Sequence, residues 1–73
     1  MAKKGGSAVY RVTQVIGTSS QSWEDATRNA VKTAAGTLHD LRIAEIEKLD
    51  VKIENGKVTQ FRARLSLSFK YGA

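Results

Sequence analysis

The sequence contains no cysteine, a single histidine, and no apolar run approaching the roughly 20 residues a membrane-spanning helix needs. Without cysteine there is no disulfide to staple the chain, and without a Cys/His cluster there is no structural metal site. The first residues, MAKKGGS, lack the apolar core of a secretory signal, so the expected location is cytoplasmic, with no membrane partner. Nothing in the spacing marks a nucleophile, an acid/base pair or a ligand cluster, which argues against an enzyme. His39 follows a helix end beside Asp40 and reads as a surface residue.

At 73 residues the chain is one domain. Domains this small bury only about 60% of the surface their unfolded chains expose. With disulfides and metals set aside, association with copies of itself is the common remedy that remains. Twelve Lys/Arg against seven Asp/Glu give a net charge of +5, which favours polyanions, phosphorylated ligands or acidic surfaces. Lys3 and Lys4 lie in residues 1–7, expected to be a disordered leader, so the domain expected over 8–72 is only moderately basic.

One helix is expected, over Ser22 to Leu38. Ser22 is a good N-cap, with Asp25 placed to complete a capping box. Glu24 and Asp25 in the first turn and Lys32 later suit the helix dipole. Trp23, Ala26, Ala30, Val31, Ala34, Ala35 and Leu38 form one apolar stripe, and Thr27 on the same face can bond back to the Trp23 carbonyl. The alanines at its middle allow close approach to a sheet. Trp23 reads as a packing residue at the helix start.

Three strands are expected. Ala8 to Ile16 is β-branched and alternating, and Gly17-Thr18-Ser19-Ser20-Gln21 reads as the turn into the helix. A glycine followed by hydroxyl residues also resembles a phosphate loop, but without the P-loop spacing. Leu41 to Glu54 and Lys57 to Tyr71 flank Asn55-Gly56, a strong type I′ hairpin signal. An unbroken ladder from that turn pairs Glu54 with Lys57, Leu49 with Arg62, Glu47 with Arg64 and Ile43 with Ser68. Phe61, Ala63, Leu65, Leu67 and Phe69, with Ala44 and Ile46, then face the helix. The other face carries Ile43, Leu49, Val51 and Ile53, which need a partner surface unless a bulge near Lys48 turns part of the group over. Glu45 and Glu47 beside Arg62 and Arg64 would form its polar rim. The fold class is α+β, in the order β-α-β-β, with a three-stranded antiparallel sheet wrapped around one helix.

TQVIGTSSQSWEDATRNAV, LHDLRIAEI and ENGKVTQFRARLSLSFKY together resemble the dodecin family over nearly the whole chain from Val9 to Tyr71. The resemblance implies a hollow homododecamer that binds flavins (FMN or riboflavin), or in some members coenzyme A, between subunits. Ile43 stands where flavin-binding members carry a stacking tryptophan, and Arg62 where they carry a glutamine that hydrogen-bonds the flavin. An aliphatic residue loses a stacking contact typically worth roughly 1–3 kcal/mol per ring, and arginine has no acceptor. The implied function is a non-enzymatic binder or store of a small ligand with a weakened flavin site. Lys70 matches a position that is often basic in the family and meets ligand phosphate or a neighbouring chain. An aliphatic residue at the stacking position also resembles the calcium dodecins, which implies the alternative of a structural or calcium-binding assembly. Asp50, or Glu45 with Glu47, would then offer oxygen ligands at a symmetry axis. A nucleic-acid reader using Arg62 and Arg64 is disfavoured because that face has no aromatic platform. The candidate ligand-binding residues are Ile43, Asp50, Arg62 and Lys70.

Overall fold

Helix α1 forms where its start signals put it. A computed structural model describes residues 8–70, with α1 at Trp23–Ala35. The expected leader, residues 1–7, and the strand end at Tyr71 lie outside the described residues. Ser22 Oγ accepts from the Asp25 amide at 3.0 Å, and Thr27 Oγ1 donates to the Trp23 carbonyl at 2.9 Å, both as the sequence leads one to expect. The other half of the capping box is different. The Asp25 carboxylate accepts from Ser19 Oγ at 2.7 Å, and that hydroxyl accepts from the Gln21 amide at 2.8 Å and the Ser22 amide at 3.4 Å. Ser19 is buried at the end of a strand, so its proton needs an acceptor and its lone pairs are open to the turn amides.

The helix stops at Ala35 rather than Leu38. The Gly36 amide reaches the Thr33 carbonyl at 3.2 Å, and the Thr37 and Leu38 amides share the Ala34 carbonyl at 3.0 and 2.8 Å, a tightened last turn. Leu38 still packs on the core.

Strand β1 runs Tyr10–Ser19, through Gly17 rather than ending before it. Glycine is a weak strand residue, but a side chain has no room here: a Cβ on Gly17 would lie 2.1 Å from the Ala26 carbonyl oxygen and 2.7 Å from Ala30 Cβ. The helix axis comes down on this strand because both surfaces are small. Strands β2, Leu41–Glu54, and β3, Lys57–Lys70, complete a sheet of order β1-β3-β2 with antiparallel neighbours throughout. Asn55 and Gly56 have φ of 52° and 73°, the left-handed pair that a type I′ turn requires.

The hairpin register departs from an unbroken ladder. Glu54 faces Lys57 and Ile43 faces Ser68 as expected, but Leu49 faces Ala63 instead of Arg62, and Lys48 rather than Glu47 faces Arg64. Glu47 is an extra residue in β2 and Thr59 an extra residue in β3, so the segment between these two bulges is turned over. Leu49, Val51 and Ile53 therefore move to the helix side, opposite Ala63, Phe61 and Val58. Of the apolar group expected on the outer face, only Ile43 stays there. The physical reason is parity: the turned register puts Leu49 and Val51 on the side that already holds Ala63 and Phe61.

The core consists of Ala26, Ala30 and Ala34 from α1 against Ala63, Leu65 and Leu67 from β3, with Val15, Val31, Leu38 and Leu41 around it. Thirteen helical residues span about 20 Å, whereas fourteen strand residues span about 46 Å. One helix over β1 and β3 cannot cover such a hairpin. Ile46, Leu49, Ile53 and Val58 are left 51%, 47%, 62% and 52% exposed. The radius of gyration is 15.5 Å, where a compact chain of this length would have about 11 Å. The apolar surface of the hairpin is greater than this chain alone can bury.

Candidate functional site

The outer face of the sheet, away from α1, reads in rows across β1, β3 and β2. Tyr10 pairs with Lys70; Val12, Ser68 and Ile43 follow; then Gln14, Ser66 and Glu45; then Ile16, Arg64 and Lys48; then Thr18, Arg62 and Asp50. Each strand sends alternate residues to this face, so the register alone sets which side chains meet.

Two of the four sequence-predicted residues are brought together. Arg62 Nε donates to Asp50 Oδ1 at 2.7 Å and its Nη2 to Asp50 Oδ2 at 3.0 Å, a two-pronged pair. The hydrogen bond from Arg62 holds the Asp50 carboxyl below the usual aspartate range, and Asp50 in turn raises the guanidinium. The bulge at Glu47 makes this possible, since an unbroken ladder would have set Leu49 against Arg62. Ile43, 60% exposed, and Lys70 lie near the other end of the same face, about 20 Å along β3 from Arg62. A single chain does not join the two halves.

Three contributors go beyond the sequence reading, the first being Trp23, which packs as expected but also bonds to β2. The Trp23 indole N–H donates to the Asp50 carbonyl at 3.0 Å, and its ring meets Phe61 edge-on at 5.2 Å, so the helix start pins the turned segment of β2. The alternation of β2 carries the signal for that segment, because the apolar positions change parity between Ile46 and Leu49. Gln14 is the second: its amide donates to Glu47 Oε1 at 2.9 Å, and Ser66 Oγ donates to Glu47 Oε2. Glu47 therefore does not rim Arg62 or Arg64 as expected; as the bulged residue it leans across β3 toward β1. Lys48 is the third, placed opposite Arg64 by the same bulge.

His39 is exposed in the turn between α1 and β2. Among the described residues no three His, Cys, Asp or Glu side chains gather closely enough to hold a metal. No described helix is long and apolar enough to cross a membrane. On the helix side, a cavity of about 480 Å³ lies between the free edge of β1 and α1, lined by Thr13, Val15, Gly17, Ala30, Ala34 and Leu38 among others. Its walls are apolar or hydroxylic apart from the Asn29 amide, with no charged group to direct chemistry.

A family model described as Dodecin matches residues 9–72. The calcium dodecin of Mycobacterium tuberculosis is 41% identical over 64 residues, which cover 86% of this chain and 89% of that protein. Among solved structures, dodecin from Streptomyces coelicolor superposes with a TM-score of 0.87 at 37% identity, over 93% of this chain and 97% of its own. The M. tuberculosis protein, described as a calcium chelating antigen with a novel calcium-binding site, gives a TM-score of 0.79 at 38% identity, over 89% and 93% of the two chains.

Proposed function

This chain belongs to the dodecin family, and from that premise we propose that it is a non-enzymatic homododecamer that holds a small ligand between subunits, with a flavin site altered so that flavins bind weakly. The observation that carries this reading is the Asp50–Arg62 clamp. The Nε/Nη2 edge of the guanidinium is already committed, and an arginine offers no acceptor to the donor edge of a flavin ring. Ile43 gives aliphatic area where a ring would stack. The two halves of the face, Ile43 with Lys70 and Asp50 with Arg62, come together only if sister chains bring them there, which is why the ligand belongs between subunits. Coenzyme A remains a candidate occupant because its phosphates call for cations such as Lys70 rather than for a stacking ring.

Titration of riboflavin and FMN, read by fluorescence quenching, tests this. The parent protein is expected to quench weakly, and the Ile43→Trp/Arg62→Gln variant to bind about 5- to 150-fold more tightly, the equivalent of roughly 1–3 kcal/mol of stacking. Tight quenching by the parent would overturn the reading.

A second reading has specific support in the name and description of the M. tuberculosis relative, namely a calcium-binding assembly with no organic ligand. Within one chain the described residues do not make such a site: Asp50 is held by Arg62, Glu47 by Gln14 and Ser66, and no third acid joins them. Calcium would therefore need carboxylates from several copies, with Glu45 a free contributor from each. A melting temperature that is higher in calcium than in chelator supports this reading, and equal melting in the two removes it.

A further inference from the structure

The bulge at Glu47 secures one ion pair at the cost of another. In an unbroken ladder Glu47 would oppose Arg64, an attractive pair; in the observed register Lys48 opposes Arg64. Like charges directly opposite on one sheet face repel, with Cβ atoms only about 4.5–5.5 Å apart. Neither side chain makes a hydrogen bond or an ion pair with any described residue. Of the nearby acids, Asp50 is engaged with Arg62 and Glu47 with Gln14 and Ser66, while Glu45 lies one row away, opposite Ser66, and makes no ion pair with either cation. Arg64 also borders a recess of about 320 Å³ at the β1 edge, lined by Gln14, Val15 and Ile16, a volume at the low end of small-molecule sites.

We propose that Lys48 and Arg64 form a second anion site, one that takes the phosphate of a small phosphate monoester, with the rest of that molecule lying over Ile16 in the recess. A doubly charged phosphate between the two cations turns a repulsive cross-strand pair into two attractive ones. The guanidinium can engage two phosphate oxygens at once, while the ammonium acts as a compact point charge. The size of the recess and the apolar side chain of Ile16 favour a free small molecule over an extended polyanion. The site stands on one chain and does not depend on how Ile43 and Arg62 treat flavins.

Calorimetric titration of the full chain with inorganic phosphate, at ionic strength matched with sodium chloride, tests it. One phosphate per chain is expected. Lys48→Gln and Arg64→Gln are each expected to weaken binding at least tenfold, the equivalent of about 1.4 kcal/mol. Lys52→Gln removes the same charge two positions further along the face, where Lys52 pairs with Glu54 at 3.4 Å, and is expected to leave binding within twofold. No heat beyond that of chloride, or equal weakening by all three substitutions, would overturn the proposal. Glycerol 3-phosphate should bind at least as well as inorganic phosphate. Binding to phosphatidic acid vesicles without any response to glycerol 3-phosphate would overturn the assignment to a free small molecule. All three substitutions are at exposed positions, and circular dichroism of each variant separates lost binding from lost folding.

Discussion

Replacing Gly17 by alanine puts the seam between helix and sheet under direct strain. The added methyl would sit 2.1 Å from the Ala26 carbonyl oxygen, 2.7 Å from Ala30 Cβ and 3.1 Å from the Ala26 carbonyl carbon. Carbon atoms rest at about 3.5–4.0 Å, so α1 must back away by about 1 Å. The nearest atom is backbone, and no rotamer change relieves it. Retreat opens the contact of Ala26, Ala30 and Ala34 with Ala63, Leu65 and Leu67, and alanine side chains are too short to follow. A gap of 0.5–1 Å forfeits about a quarter to a half of each contact's attraction, and overpacking typically costs about 1–3 kcal/mol. The opposing gain, from stiffening the unfolded chain, is only about 0.4–1 kcal/mol. The net loss is expected at about 2 kcal/mol, which for a domain of this size lowers the melting temperature by about 10–15 °C. Far-UV circular dichroism melts at one fixed protein concentration measure it, because assembly makes melting concentration-dependent. A variant melting within about 2 °C of the parent, well under a 1 kcal/mol effect, would refute the close approach of α1 to β1.

Two further outcomes follow from the pinned segment of β2. Because Arg62 lowers the Asp50 pKa, the pair stabilises the fold at pH values above the ordinary aspartate pKa, about 3.9, and that contribution fades as pH falls through the lower, folded-state value. Acid unfolding curves of the parent and of Asp50→Asn should therefore converge at low pH and separate above it; curves separated by a constant amount would contradict this. Trp23→Phe keeps a ring against Phe61 but removes the donor to the Asp50 carbonyl, with an expected loss of about 0.5–1.5 kcal/mol. Amide exchange should then quicken in residues 48–52 ahead of the rest of the sheet, and a uniform change across all strands would argue against a local pin.

The parts of the fold that were legible are those set by local chemistry. Ser22 and Asp25 mark the helix start, Asn55-Gly56 marks the hairpin, and the alternation of Phe61 to Phe69 gives the helix side of β3. Two features depend on distant partners and are less legible. Gly17 reads locally as a strand breaker, yet here it belongs to the strand because the alanine stripe of α1 needs a surface without a side chain. The bulge near Lys48 is only an alternative in the sequence, since a period of two gives faces only while it stays unbroken, and the register realises it at Glu47. The apolar positions of β2 are even at Ala44 and Ile46 and odd at Leu49, Val51 and Ile53, a change of parity that only a bulge reconciles with β3. At the candidate site, Asp50 and Arg62 were both named from sequence. Their mutual clamp was not, because it exists only in the shifted register. No local pattern points to Gln14, whose role comes from the placement of β1 next to β3.

The hairpin of one copy extends past its own helix, and sister copies are proposed to cover what it leaves open. Native mass spectrometry of freshly purified protein measures this most directly, since it reports subunit number and any retained ligand in one spectrum. A single dodecameric species is the expected result. A monomer at micromolar concentration, with Ile46, Leu49, Ile53 and Val58 left in water, would contradict it.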